Sequence, residues 1–543
     1  MDKKNFLYFY PAASRICILT VRACADYNRG MITERMSLYD YMRAYRAKNE
    51  SGTAMIRGGR KMSFGRLFRE IERVAGGLKA LGVGRGDVVM LALPTMEQGI
   101  VAFYAVSRLG AVASMIHPLM AGGEFLRAVA EQRPKAVFLS DINFNRLGKG
   151  LKGVRRVVCP YGVYGYLGLP RPAAFEPYSG DGSEPAVYMR SGGTSGDAKT
   201  VVLSAAAVNA LTGNLLATLA EENFGEKDRM LVALPMFHGF GLFVGLHTVI
   251  CIAAPPVLMP VFRAEKAVRA IARHKVTLMI AVPGMINKLL AEPEFRGENV
   301  RSLAHVYVGG DTVDAELEDR FDARMREAGT DCVLSPGYGL TETGSVCVLS
   351  PRKAGGAVLG KPLVNMRCRI VGEDGCDVPQ GETGELLLTG NQLMTGYLGD
   401  GEATAAAFTE EGGVKWLKTG DMFRALPDGS LYFMGRKKRL IKISGVNVFP
   451  AEIERAAVRL PFVGQCAAIE VRENNKPFIA LFVTGKLSDE QKKILKRHIV
   501  NELSKWHEPK YIVCVDALPR TQVGKTDYVR LSDEFERCRK EGA

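Results

Sequence analysis

Ten consecutive residues, Ser191-Gly192-Gly193-Thr194-Ser195-Gly196-Asp197-Ala198-Lys199-Thr200, bring glycines, hydroxyls and one lysine into a single stretch. Backbone N–H groups opened by glycine, hydroxyl donors and a lysine cation are what the oxygens of a polyphosphate need around them. Two functional readings compete. Gly193-x4-Ala198-Lys199-Thr200 is a Walker A pattern whose second glycine is replaced. A Walker A loop, however, runs from its Lys-Thr straight into a helix whose N-terminus holds phosphate. Here Val201-Val202-Leu203 follows, which is strand chemistry, and only then does Ser204 cap an alanine-rich helix. A phosphate loop between two strands fits that order better. A plain Gly/Ser turn is the third alternative.

Three further segments narrow the choice. Tyr338-Gly339-Leu340-Thr341-Glu342-Thr343 sets an aromatic, a hydroxyl and a carboxylate side by side, after an expected turn at Pro336-Gly337. An aromatic stacks on a base, and a glutamate holds Mg²⁺. Trp416-Leu417-Lys418-Thr419-Gly420-Asp421 offers a carboxylate in what reads as a tight turn, suited to ribose hydroxyls. Pro519-Arg520-Thr521-Gln522-Val523-Gly524-Lys525 puts a lysine after a glycine near the C-terminus. Each alone is more often a solvated loop than a site.

The elements that must carry these residues alternate in type. Thr53–Arg57 reads as a strand, with Arg60–Met62 as its hairpin return. Ser63 then caps a helix whose Leu67, Ile71, Val74, Leu78 and Leu81 recur at spacings of three or four. Strands at Asp87–Leu93 and Ala136–Leu139 flank a helix at Glu97–Leu109, and the same rhythm returns through 229–234, 264–273, 277–281 and 305–308. Such alternation predicts an α/β fold of two doubly wound subdomains. From about 358 short strands (Cys368–Val371, Gly384–Leu388, Ser430–Met434) separated by Asp-Gly turns predict a small β-rich subdomain. After Arg436 a compact α+β pattern begins: a helix from Ala451, strands at Gln465–Val471 and Phe478–Val483, a Ser488-capped helix and a strand at Tyr511–Val515. The expected organisation is an N-terminal extension over 1–35, a large domain over 36–435 and a small, mobile C-terminal domain over 436–543. Met31 or Met36 reads as an alternative start.

Composition sets outer bounds. The 543 residues carry 72 Lys+Arg against 58 Asp+Glu, a formal charge of +14, and half of that excess lies in 437–543. Anionic small molecules, an anionic lipid surface and a merely solvated face all fit a basic excess; no nucleic-acid partner is assigned. The eleven cysteines show no CxxC pair and the seven histidines no HxxH, so a zinc site has no support, and scattered cysteines suit a reducing cytoplasm. The longest apolar candidate, Leu242–Val261, is broken by Gly, His and Pro, which excludes an integral membrane span.

In this order and at these separations, the segments resemble the adenylate-forming superfamily of acyl-CoA synthetases, nonribosomal adenylation domains and luciferases, over about residues 36–535. The resemblance implies that Ser191, Gly193, Thr194, Ser195, Gly196 and Lys199 close on the ATP phosphates. Gly309, Gly310 and Asp311 match the segment beside adenine, Tyr338 the residue that stacks on it, and Gly339 is a further ATP/AMP-binding position. Thr341 and Glu342 match the phosphate and Mg²⁺ contacts, and Asp421 and Arg436 the ribose contacts. Lys438 falls at the hinge about which the small domain rotates, Gly445 at the thiol tunnel and Lys525 at the lysine of adenylation. With Glu342 and Thr194, Lys525 forms the expected catalytic set. Ala198, Thr200 and Arg439 depart from the family, where Pro, Gly and an acid are usual.

The expected activity is an ATP-dependent acid–thiol ligase: Mg²⁺ as cofactor, ATP, a carboxylic acid and CoA as substrates, in a monomer or homodimer. A ligase loading a carrier protein, a P-loop module without ligase chemistry and a degenerate non-catalytic member are the alternatives. Leu234-Pro235-Met236-Phe237-His238-Gly239 matches the acyl-pocket segment, with His238 lining or gating the pocket and Gly239–Gly245 leaving room for a chain or ring. Phe237-His238 stand where amino-acid-activating relatives carry an Asp, and no Trp precedes Tyr338 as in acetate-type relatives. Those two features imply a medium or long acyl chain, as in fatty acid metabolism, or an aryl acid. His117-Pro118-Leu119 is expected to be core.

Overall fold

In the computed structural model, residues 33–46, 49–191, 198–350, 357–444, 446–473, 476–520 and 526–540 are described. Two large sheets carry the N-terminal part. One has seven strands in the order Gly396–Tyr397, Thr200–Ser204, Pro185–Arg190, Val112–Met115, Val88–Ala92, Ala136–Ser140 and Arg155–Cys159. Its five-residue central strand Val88–Ala92 is buried throughout and apolar throughout, the signature of a parallel strand covered on both faces. The other has nine strands, with a parallel core of Leu334–Gly339, His305–Val308, Leu278–Ala281, Met230–Val232, Pro256–Leu258 and Thr53–Arg57. Helices between the strands bury one stripe each. Phe64–Ala80 buries Leu67, Ile71, Val74 and Leu78, and Ser63 accepts from the Arg66 N–H at its start.

A five-stranded sheet of Met366–Val371, Thr383–Gly390, Phe408–Glu411, Val414–Ala425 and Leu431–Arg436 follows. The C-terminal part is built on a three-stranded sheet, Cys466–Glu473, Lys476–Thr484 and Tyr511–Val515. The core on one face includes Ile453, Leu495 and Ile499 from helices Pro450–Ala457 and Asp489–Glu502; that on the other includes Leu531 and Phe535 from Tyr528–Lys540. The fold is thus α/β, with a large N-terminal domain and a small C-terminal one. Among the described residues no helix is long and apolar enough to cross a membrane.

Three local expectations need correction. Pro336-Gly337 is not a turn: both lie inside strand Leu334–Gly339, with Pro336 in parallel register with Val308. Asp421 is not in a tight turn either. It lies inside the twelve-residue strand Val414–Ala425, within a register shift and just after Gly420 at φ 68°. A left-handed glycine beside a bulge looks, in sequence, like a turn. Nor does Gly239–Gly245 leave room. The chain from Phe240 to Thr248 is a π-helix, and its glycines mark close packing. A Cβ on Gly239 would lie 1.9 Å from the Gly344 carbonyl, and one on Gly241 2.2 Å from that of Pro235.

Upstream of residue 36 the chain already packs on the fold. Asn209, wholly buried, donates to the carbonyls of Glu34 and Met36 at 2.9 and 3.1 Å.

Candidate active site

A cavity of about 480 Å³ opens at the carboxyl ends of the nine-stranded sheet's parallel strands, where open α/β sheets place ligands. It is lined there by Gly309, Gly310, Gly337, Tyr338, Gly339, Thr341 and Glu342. Gly309 is glycine for a steric reason, since a Cβ would meet the Gly337 carbonyl at 3.1 Å; Gly310 has φ +83°. Asp311, the third residue of that segment, does not line the cavity: it is exposed and accepts from the Thr312 N–H at 2.9 Å.

Behind this wall lies a fixed polar cluster. Asp421 is 0% exposed. The Tyr338 hydroxyl donates to its Oδ2 at 2.6 Å, and the Arg436 Nε lies 2.9 Å from its Oδ1. Strand register builds the second contact, because Asp421 and Arg436 are cross-strand partners. Phe423 meets the Tyr338 ring edge-on with centroids 5.0 Å apart, so the ring plane is held from two directions. Burial, then the Asp421 charge, pushes the Tyr338 phenol far up, and it remains a donor. An aromatic wall thus adjoins a carboxylate and a guanidinium, groups that suit a base and the hydroxyls of a sugar.

Glu342 lies on the short turn Thr341–Thr343 and accepts from the Tyr397 hydroxyl at 2.9 Å. The Lys199 ammonium sits 4.8 Å from the centre of the Tyr397 ring. Lys199 and Ser191 are brought together by the antiparallel pairing of Pro185–Arg190 with Thr200–Ser204, and the Ser191 N–H donates to the Lys199 carbonyl at 2.8 Å. Ser204 caps helix Ala205–Thr218 only after that second strand. The lysine therefore leads into a strand, which excludes a P-loop. Gly193, Thr194, Ser195 and Gly196 lie outside the described residues, as do Gly445 and Lys525. Of the unusual positions here, Ala198 lines the cavity, while Thr200 is buried and starts the strand opposite Arg190.

The cavity's other end is apolar. Leu215, Leu216 and Leu219 from the Ala205–Thr218 helix and just beyond it, Val244 and Thr248 from the π-helix, Met230, Leu278, Phe224 and Tyr307 line it. His238 and Gly239 lie on the wall, with the Phe240 N–H pointing to His238 Nδ1 at 3.4 Å. His117, expected in the core, instead lines the cavity, its ring 4.3 Å from that of Phe237. Its Nδ1 accepts from the Leu119 N–H at 2.9 Å, and desolvation followed by the Arg146 charge lowers its pKa.

Among the described residues four cations and two carboxylates line the cavity, Arg190, Arg436, Lys438 and Arg439 against Glu124 and Glu342; Arg190, Arg436 and Arg439 are ion-paired with Glu131, Asp421 and Glu454 behind the wall. Arg190, Glu124, Tyr397 and Tyr307 escaped sequence reasoning. Arg190 alone carried a signal, as the charge that ends an apolar strand directly before the glycine-rich stretch.

Lys438 falls in the short turn Lys437–Arg439, between the last strand of the five-stranded sheet and the hairpin Ile441–Ile443/Val446–Val448. Arg439 donates to Glu454 at 2.7 Å and to the Ala468 carbonyl at 3.2 Å, and its guanidinium stacks 3.5 Å over the Tyr528 ring. An acid at 439 would face Glu454, so here the cation is the matched residue. Lys437 reaches back to Glu385 at 2.6 Å, and Glu385 also accepts from the Gly420 N–H at 3.1 Å.

Two family models match this chain: AMP-binding enzyme over residues 43–398 and AMP-binding enzyme C-terminal domain over 452–525. The chain belongs to the AMP-binding enzyme family. Among its relatives, 4-coumarate–CoA ligase 5 of Oryza sativa subsp. japonica is 30% identical over 520 residues, 91% of this chain and 94% of the relative. Indoleacetate–CoA ligase of Aromatoleum aromaticum is 28% identical over 513 residues, 90% and 96% of the two chains. The solved structure of the anthranilate CoA ligase AuaEII with anthranoyl-AMP superposes with a TM-score of 0.83 at 23% identity, covering 96% of this chain and all of that one. ATP-bound MatB from Rhodopseudomonas palustris gives 0.83 at 23%, covering 92% and 98%. Both structures share the two-domain fold with this AMP-binding enzyme.

Proposed function

We propose that this AMP-binding enzyme is an aryl acid–CoA ligase. The observation that carries the proposal is one continuous cavity with two chemistries: a polar, cationic end at Tyr338 and Arg436, with the buried Asp421 behind them, and an apolar end at Leu215, Leu219, Phe224 and Met230. A nucleotide fits the first and a hydrophobic acid the second. The names of relatives at 26–30% identity, coumarate and indoleacetate ligases, support an aromatic acid over a fatty one. A cavity of about 480 Å³ shared with a nucleotide also suits a ring better than a long chain.

In this reading the acid's carboxylate oxygen attacks the α-phosphorus, the bond to the β-phosphate breaks and pyrophosphate leaves. A thiolate then attacks the acyl carbonyl and AMP leaves. Two anions must meet in the first step, and the cations of Arg190 and Lys199, with Lys525, offset their repulsion. Glu342 would hold Mg²⁺, which neutralises phosphate charge when bound. No group of three His, Cys, Asp or Glu among the described residues forms a cage of its own, so one carboxylate plus substrate phosphates is the fitting mode. Asp421 and Arg436 would hold the ribose, and Lys438 would be the hinge between the 36–435 and 436–543 domains.

The test is pyrophosphate release from ATP and Mg²⁺ across benzoates, cinnamates, indole-3-acetate and saturated fatty acids, each with and without CoA. Release that depends on an aryl acid and rises with CoA supports the proposal. Acid-dependent adenylate that free CoA does not discharge would replace CoA with a carrier protein. Release from fatty acids alone would replace the substrate class.

A further inference from the structure

Within the apolar end of the cavity two side chains among the described residues carry a hydroxyl, Thr248 and Tyr307. Thr248 is satisfied: its Oγ1 donates to the Phe243 carbonyl at 2.9 Å and lies 3.0 Å from the Thr212 hydroxyl. Tyr307 is not. The residue is 7% exposed, and its hydroxyl oxygen is a buried polar atom with no hydrogen-bond partner among the described residues. Its ring is held in place, stacked on His305 with centroids 6.2 Å apart and planes 8° apart; Phe224 meets His305 edge-on at 5.0 Å. A buried hydroxyl without a partner carries its full desolvation penalty until one arrives. Tyr307 itself lines the cavity, with its hydroxyl closed off from solvent.

Position and charge say what that partner is. Tyr307 precedes Gly309 by two residues, roughly 7 Å back along the strand at ~3.3 Å per residue. That distance separates the polar end from the level of Tyr307 by about one aromatic ring. Burial, followed by the charge of Glu222 and a smaller one from Asp228, pushes the phenol upward, so it stays protonated and donates. Glu222 and Asp228 also make this region unfavourable for another anion. The four cations that line the cavity among the described residues come from the strand ends at Arg190 and Arg436 and from the turn Lys437–Arg439.

We propose that Tyr307 is a specificity residue that reads the far end of the acid, donating its hydroxyl hydrogen to a neutral oxygen or nitrogen acceptor remote from the carboxylate. A hydrocarbon acid lacks that acceptor, and an acid with a second carboxylate brings the wrong charge. The proposal rests on the aryl-acid reading above.

The full chain is assayed for pyrophosphate release with ATP, Mg²⁺ and CoA on benzoates and cinnamates whose 3- or 4-substituent is methoxy, hydroxy, methyl or carboxylate. At least one methoxy or hydroxy acid is expected to exceed its methyl counterpart by roughly tenfold or more in kcat/KM, and the carboxylate analogue to fall below the methyl acid. Tyr307→Phe brings the methoxy-to-methyl ratio close to one. Its melting temperature without acid stays at or above that of the parent protein, because only an unpaired hydroxyl is lost. A parent ratio near one, a ratio that survives Tyr307→Phe, or a clear drop in melting temperature overturns the assignment. If methyl acids turn over without preference, only the role of Tyr307 fails. If all aryl acids are silent while a saturated fatty acid reacts, the aryl reading falls and Tyr307 with it.

Discussion

His247 sits inside the π-helix that lines the cavity, 1% exposed, and its protonation is legible from its neighbours. The amide nitrogen of Asn209 is committed to the carbonyls of Glu34 and Met36, so Asn209 Oδ1 must accept from His247 Nε2–H at 3.3 Å. Nδ1 is then bare and accepts the Tyr104 hydroxyl at 3.0 Å. A second proton has no acceptor, and burial lowers the imidazole from 6.5 to about 3. Between those values the unfolded chain binds a proton that the native protein refuses. Stability therefore falls as pH drops through this window, by up to about 1.4 kcal/mol per unit. From pH 7.5 to 5.0 the loss is about 2 kcal/mol from this one group. His247→Gln can offer its carbonyl to Tyr104 and its N–H to Asn209 while binding no proton. Urea unfolding followed by far-ultraviolet circular dichroism at pH 7.5, 6.5, 5.5 and 5.0 reads the difference. The variant starts less stable but loses about 2 kcal/mol less over the range. His117 and His274, also lowered by desolvation, titrate in both proteins and cancel. Parallel pH curves for the two proteins would refute the reasoning.

Asp421→Asn keeps an acceptor for Tyr338 but removes the charge facing Arg436, and should raise the KM for ATP about 10- to 100-fold with little change in far-ultraviolet signal. Arg439→Glu sets two carboxylates against each other at Glu454 and should cost up to about 3–5 kcal/mol; Arg439→Glu with Glu454→Arg should recover part of it, read as a coupling in chemical denaturation. Lys525→Ala should cripple pyrophosphate release yet spare CoA transfer from a supplied acyl adenylate; equal loss of both would contradict separate demands in the two steps.

What could be read ahead was whatever local chemistry decides. The stripe Leu67, Ile71, Val74, Leu78 and the caps at Ser63, Ser204 and Ser488 are set by neighbours three or four residues away, and each stands where expected. The strand after Lys199 separated a loop between strands from a P-loop for the same reason. Misreadings came where tertiary pairing overrides a local signal: Pro336-Gly337 and Gly420-Asp421 look like turns but are drawn into strands by neighbours far along the chain. The π-helix was illegible because its residues are almost all buried, so no polar face marks a period. Tyr397, 55 residues from Glu342, and Tyr307, whose meaning lies in a missing partner, have no signature in sequence at all.

The division between strand and turn in this site follows what two successive reactions would require. A nucleotide must stay in place from adenylation to thiol transfer, so its contacts belong on elements that do not move. Asp421 and Arg436 meet that demand because one strand register fixes both. Groups that serve a single step must be able to leave, and they belong beyond a pivot. Arg436 is the last residue of its strand, and the turn Lys437–Arg439 begins at the next one. A rotation at Lys438 would therefore carry away everything after it while leaving Arg436 on Asp421. It would also carry Arg439 together with Glu454, Ala468 and Tyr528, since all four lie after Lys438 in the chain and hold one another. The contacts at risk are those that cross the pivot, such as Lys442 with Glu373 at 2.7 Å, where both side chains are exposed. Exposed pairs of this kind are worth ~0–1 kcal/mol, so breaking one resists rotation little. A rotation would also have to exchange the packing of helix Pro450–Ala457 on strand Leu431–Arg436, where Arg455 donates to the Phe433 carbonyl at 3.4 Å and lies 5.4 Å from the centre of the Tyr432 ring.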